Sequence, residues 1–282
     1  SNIASSDRMH SRGFDIISIQ VVPYNFYPNS NELEVLTDVE VIITEVGPRV
    51  DNINTTTKRS RVFDSLFKDY VINFETSSRT EDYQLPSILY ICGGNSESSS
   101  ALQDLVEWRH QQGYVVNTAS LSETGNSENQ IKNYIQNAYN TWENPPEYVA
   151  LVGDVGGNYS VPTFYNGFGH NSYGNDCEGD LPDSQLDGND LLPEVIVGRI
   201  SVRSNNELGV VVAKTLAYEK ATYIDITGTN WYESAALIGD PSSSGQSTIH
   251  TNQYIDNLLQ NHGFNDVNTA FSGNYDNFME DQ

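Results

Sequence analysis

The stretch PSILYICGGNSESSSALQDLVEWRHQQGYVVNT, residues 86–118, decides the fold. SILYIC (87–92) is a short apolar run without polar alternation, the pattern of a strand buried on both faces. Serines at 96–100 can cap a helix, Leu102, Leu105, Val106 and Arg109 follow a 3.6-residue period, and Gly113 stands where a helix ends in the left-handed region. YVVNT (114–118) then returns as a strand. Strand, amphipathic helix and strand in this order make a βαβ unit, which implies parallel pairing.

The same alternation continues downstream. Ser127 and Gln130 form a capping box ahead of Ile131, Tyr134, Ile135, Ala138 and Trp142 on one helical face, which ends at Pro145 and Pro146. YVALVGD (148–154) and EVIVGRI (194–200) are the next strands, and Ser204 with Glu207 opens a helix carrying Val211, Val212, Leu216 and Tyr218. SAALIGD (234–240) predicts a fifth strand, and residues 246–262 a helix closed by Gly263. The expected fold class is therefore α/β, a mainly parallel sheet flanked by helices over residues 86–282.

Upstream the composition changes. Residues 14–46 hold two β-branched stretches on either side of YNFYPNSNEL, which predicts strand, turn, strand in a β-rich segment spanning 1–50. Residues 51–85 contain the dense basic cluster KRSR (58–61) and read as a linker or processing region, with 52–84 the most accessible backbone.

Against 38 Asp and Glu stand 14 Lys and Arg, a formal charge of -24, so a phosphate backbone is repelled and nucleic acid is not an expected partner. No apolar run is long enough to span a bilayer, and SNIASSDRMH lacks the regions of a signal peptide. A field this negative favours hard cations, which take carboxylate and carbonyl oxygens. The acids concentrate in DCEGDLPDSQLDGNDLLPE (176–194), and within it DGNDLLPE lets Gly188 turn the chain so that Asp190 and Glu194 converge with main-chain carbonyls. Asp154 and Asp240 end strands, at the edge where open parallel sheets place their ligand crevice.

Nucleophiles are scarce. Cys92 ends an apolar strand and reads as a small buried hydrophobe, and Cys177 sits among acids that disfavour a thiolate. His10 lies near the terminus, His110 and His262 on helices and His170 on a loop, leaving His250 as the histidine placed to face a crevice. The motifs GxSxG, HExxH and GxxxxGK[ST] are absent.

WRHQQG (108–113), EYVALVGD (147–154), DGNDLLPEVIVGRISVRSNNEL (187–208), AYE (217–219) and GQSTIHTNQYIDNLLQNHGF (245–264), in this order and spacing, resemble the gingipain-like cysteine peptidases over roughly 86–270. VVPYNFYPNSNELEVLTDVEVII (21–43) is similar, more weakly, to the end of that family's β-rich propeptide. The resemblance implies a caspase-like α/β fold, secreted by bacteria as a zymogen, that cleaves protein or peptide substrates with a Cys-His dyad. It implies a Ca²⁺ site using the side chains of Asp154, Asp190 and Glu194 and the carbonyls of Asp187 and Leu192. Gln246 and His250 match further ligand positions imperfectly, Gln246 replacing an acid and His250 lying one position off. The family's catalytic His and Cys fall beyond Gln282, so no residue here inherits a catalytic role and the chain by itself is expected to be inactive. Thr248 occupies the region of the acid that selects arginine, so that preference is not expected. Secretion or adhesin domains C-terminal to this chain complete the expectation. The competing class is a non-enzymatic, calcium-stabilised cell-surface module that binds a protein or glycan through the Tyr-rich loop 159–173, distinguished by whether a His-Gly strand and a Cys strand are encoded downstream.

Overall fold

The structure is a computed structural model that describes residues 3–42, 44, 58–165, 179–188, 190–222, 230–239 and 247–271. It divides into two compact units, Ser1–Ala213 and Lys214–Gln282.

The first unit begins with paired short strands. β1 (Ile3–Ser5) and β4 (Ile19–Val21) run antiparallel around the hairpin of β2 (Met9–Ser11) and β3 (Phe14–Ile16). Strands β5 (Tyr24–Tyr27) and β6 (Glu32–Val35) form a further hairpin. The segment expected as one long turn, YNFYPNSNEL, thus supplies the arms of a hairpin and only Pro28–Asn31 turns, with Asn31 at φ 53°. Cross-strand bonds explain the difference: Asn25 Nδ2 and Tyr27 Oη both donate to Glu34, at 3.1 and 3.0 Å.

The expected linker contains a helix, α1 (Arg61–Tyr70). Ser60 accepts the Phe63 N–H as its N-cap, Asp64 and Lys68 complement the helix dipole, and Phe63 and Phe67 are buried. The capping serine lies inside the basic cluster, where charge masked the helix signal. Arg59 is tied down as well, its backbone bonded to Asp82 and Gln84 and its guanidinium paired with Asp64 at 2.7 Å.

Next come β7 (Ser87–Cys92), α2 (Ser100–Gln111), β8 (Val115–Ser120), the short α3 (Leu121–Thr124), α4 (Glu128–Thr141), β9 (Tyr148–Val152), β10 (Ile196–Ile200) and α5 (Asn205–Glu219). The sheet order is β10-β9-β7-β8, every pair parallel, as expected from the βαβ alternation. All six residues of β7 are buried, so both faces of the central strand are covered. On one face Leu89, Ile91, Val149 and Leu151 pack with Ile131, Ile135 and Tyr139 of α4, each aliphatic side chain contributing about 1.5–3 kcal/mol. Ser127 caps α4 as expected, whereas α2 starts at Ser100, after a 3₁₀ turn over Ser96–Ser98.

In the second unit β11 (Ser234–Ile238) pairs in parallel with β12 (Asp266–Ala270), and α6 (Ser247–Asn261) connects them. The sequence reading did not include β12, because DVNTA has only two apolar side chains and they do not form a run. Gly263, at φ 97°, ends α6 as expected.

Among the basic sites at 58–61, trypsin is expected to cut after exposed Lys58 and to spare the bonds after Arg59 and Arg61, which are held by backbone pairing and α1. N-terminal sequencing of the first fragments should read Arg59, and a first cut after Arg61 would contradict the helix start.

Candidate functional site

The two ends of the parallel sheet carry different chemistry. At the carboxyl end, Gly93 N–H donates to Val152 O, and the chain at 158–160 lies directly on the strand ends. A Cβ on Gly153 would stand 1.8 Å from the Tyr159 carbonyl oxygen, and one on Gly93 would stand 2.4 Å from the same atom. Only glycine admits that approach, so the 158–160 backbone rests directly on the ends of β7 and β9, beside a cavity of about 410 Å³ lined by Asn95, Ser99, Asn158 and Asn205.

Arg199, leaving β10, clamps this end. Its Nε and Nη2 bond Asp180 at 2.8 and 2.7 Å, Nη1 donates to the carbonyls of Gly153 and Val161, and Nη2 also reaches Pro162 O. Burial pushes the Asp180 carboxyl up, but its bonds to Arg199 and Thr163 outweigh that and hold it below the usual range. Nearby Asp183 is only 1% exposed and its Oδ1 has no hydrogen-bond partner. Burial, with the Asp180 charge second, pushes its carboxyl up to about 7.

Asp154 belongs to the carboxyl end. It accepts from Arg203 Nε at 2.6 Å, Val155 N at 2.8 Å and Ser201 Oγ at 3.1 Å, and the Arg203 bond foremost holds its carboxyl below the usual range.

Glu194, Asp190 and Asp187 lie at the opposite end. The β9–β10 register pairs Tyr148 with Ile196, and Ile196 N–H donates to Glu147 O, so Glu194 stands before the strand starts, whereas Asp154 N–H donates to Val202 O beyond the strand ends. A rise of about eight residues of strand, ~26 Å at about 3.3 Å per residue, separates the two levels. One calcium ion, with ligands at about 2.3–2.6 Å, does not hold both. The expected cage therefore splits: Asp154 is part of an arginine clamp, and the loop acids stand apart from it. Among the described residues no three His, Cys, Asp or Glu side chains gather into a metal centre. Gln246 lies outside the described residues, as do Asp240, His170, Cys177 and most of the Tyr-rich loop. His250 is on α6 in the second unit.

The loop acids are nonetheless organised. Glu194 is fully buried and its Oε2 accepts the N–H groups of Leu186 and Asp187 at 2.6 and 2.9 Å. Oε1 has no hydrogen-bond partner. Burial pushes this carboxyl up to about 8, against the pull of those two bonds. Asp190 accepts from Leu192 N at 2.8 Å and His10 N at 2.6 Å, and Gly188 turns the chain at φ 76°. His10 Nδ1 lies 3.1 Å from Asp15 and Nε2 lies 3.5 Å from Asp187. Sequence reasoning set His10 aside for its terminal position, and its partner lies 180 positions away, beyond any local pattern.

Cys92 is the buried hydrophobe expected, with its thiol pushed up to about 12 by burial first and the charge of Glu97 second. Its sulfur approaches Tyr90 O at 3.8 Å. A thiol in that setting does not supply a nucleophilic thiolate.

A model of Peptidase family C25 matches residues 82–281. The chain belongs to this family of cysteine peptidases. It is 29% identical over 281 residues to Lys-gingipain of Porphyromonas gingivalis, covering 91% of this chain and 15% of that protein. It is 24% identical over 260 residues to Gingipain R2 of the same species, covering 88% and 33%. Family membership and fold agree: a solved structure described as a protease superposes with a TM-score of 0.53 at 27% identity, over 73% of this chain and 42% of the other. The chain spans a third or less of the length of these gingipains.

Stability should report the buried acid at the clamp. Asp183 is protonated when folded up to about pH 7 but ionises near 4 when unfolded, so the folded state binds the extra proton between those values. Stability from this group is expected to be full below about pH 4 and to fall as pH rises toward 7. In urea titrations across that window Asp183→Asn should remove part of the fall, on the order of a few kcal/mol, and an unchanged slope would refute the protonation state.

Proposed function

We propose that this chain is the N-terminal part of a secreted gingipain-like cysteine endopeptidase, with residues 1–50 the end of its propeptide. The observation that carries this is the family match across 82–281, on a four-stranded sheet that is parallel throughout. The buried Cys92 is unsuited to attack a peptide bond, and it is the resemblance to the gingipain-like family that gives no residue of this chain the role of nucleophile or of its histidine. Protein or peptide is the substrate class. The described helices include none long and apolar enough to cross a membrane.

A structural Ca²⁺ is proposed at the 187–194 loop alone. Supporting it is Glu194 Oε1, a buried oxygen without a hydrogen-bond partner, beside a Gly188 turn whose carbonyls at Asp187 and Leu192 are the ligand class a hard cation takes. Asp190 adds charge to the loop, while Asp154 is excluded by its distance. When bound, the ion would neutralise the loop acids.

Two outcomes are expected. A chain extended past Gln282 through downstream Cys and His strands should hydrolyse peptides and be stopped by thiol alkylation, whereas residues 1–282 alone should not. Turnover by the present chain that vanishes in Cys92→Ala would overturn the assignment. For calcium, about 100 Kd of free ion should add roughly 2.7 kcal/mol over the chelated protein. Glu194→Gln should abolish that gain and Asp154→Asn should keep it; superimposable melting curves with Ca²⁺ and with chelator would remove the site.

A further inference from the structure

The β2–β3 hairpin turns at Arg12 and Gly13, both with positive φ, 49° and 84°. Tight two-residue hairpins of this kind favour Asn or Asp followed by Gly, and a long side chain in the left-handed region is disfavoured because its Cβ crowds the following carbonyl oxygen. Something must hold Arg12 there. The residue is a charged hairpin tip, yet it is 6% exposed.

Its guanidinium fills a socket at the amino ends of the sheet strands. Nε donates to Glu194 O at 2.6 Å, Nη2 to Pro146 O at 2.7 Å and Nη1 to Gln84 Oε1 at 3.1 Å. The Phe63 and Tyr139 rings lie 4.7 and 5.2 Å from its central carbon. The socket is built wholly from residues after position 57, and the plug wholly from residues before it. Around the plug, Ser11 Oγ donates to Pro193 O at 2.6 Å, His10 N to Asp190 at 2.6 Å, and Phe14 packs edge-on against Phe67 and Phe74. A buried arginine among aromatic rings with satisfied donors has the make-up of a binding hot spot. A lysine presents no planar fork to three separate oxygens.

We propose that this socket is a binding site for an arginine-tipped β-hairpin peptide, and that it holds the N-terminal segment on the α/β body without need of the covalent connection between them. The site lies at the opposite end of the sheet from the strand carboxyl ends where ligands of open parallel sheets bind. It is independent of the peptidase assignment, since its test reads association and not hydrolysis.

The test inserts a site-specific protease sequence between Pro48 and Lys58 of the full chain, cuts it, and follows the pieces by sedimentation across a dilution series. The cut parent should remain one particle at micromolar concentration. Cut Arg12→Ala should separate, with dissociation at least about a hundredfold easier, and Arg12→Lys should weaken association by about tenfold or more. A parent that falls apart on cutting, or an Arg12→Ala form that holds as tightly, overturns the proposal. A second arm needs no variant to fold: a cyclised synthetic peptide of residues 8–16 in excess should displace the N-terminal piece from the cut parent, and the same peptide with Arg12 replaced by Lys should not. Equal effects of the two peptides, or none from either, would equally overturn it.

Discussion

A guanidinium taken out of water must meet oxygen on every side it can, and Arg12 does so by drawing Gln84, Pro146 and Glu194 to one point. These residues precede β7, β9 and β10 respectively, so a single cation ties together the starts of three sheet strands. The polar network continues from there. Gln84 Nε2 and Ser87 Oγ both donate to Pro145 O, Ser87 Oγ accepts from Glu147 N, and the Glu147 carboxylate accepts from Ser60, the cap of α1. Burial pushes the Glu147 carboxyl up, while Ser60 and Arg12 pull it back. Removing the arginine would leave buried acceptors with neither water nor a donor, which is costlier than losing an exposed ion pair.

At the other end the constraint is steric before it is electrostatic. Glycines at 93, 94 and 153 let the 158–160 backbone rest on the strand ends, and Arg199 then fastens the same loop to Asp180. A loop held at both places is a rigid platform, the kind of support that positions side chains presented from a sheet's carboxyl edge. The amino end, by contrast, is occupied by the chain's own N-terminal segment, through His10, Ser11 and Arg12.

Glu194 links the two roles of the acidic loop. Its backbone carbonyl serves Arg12, its Oε2 closes the 186–194 turn, and its Oε1 is left over. Asp154 was expected to share a cation with it, but the two stand at opposite ends of the strands. A parallel sheet separates residues that precede its strands from residues that follow them by the full length of the strand.

The sequence by itself determined the parallel α/β sheet, the α4 and α6 boundaries and the inert character of Cys92, because helix period, strand burial and capping are contacts within a few residues. α1 carries the same kind of local signal in Ser60, Phe63 and Phe67, within a stretch whose basic residues at 58–61 resemble a solvated linker. Only the tertiary structure decided which acids meet. Asp190 receives its bond from His10 across 180 positions and Glu194 receives Arg12 across 182. Separations of that size leave no periodic trace in a single chain, since nothing local distinguishes an arginine bound for solvent from one bound for a socket. The positive φ at Arg12 was the local cost, and it became visible only when the socket that offsets it was in place.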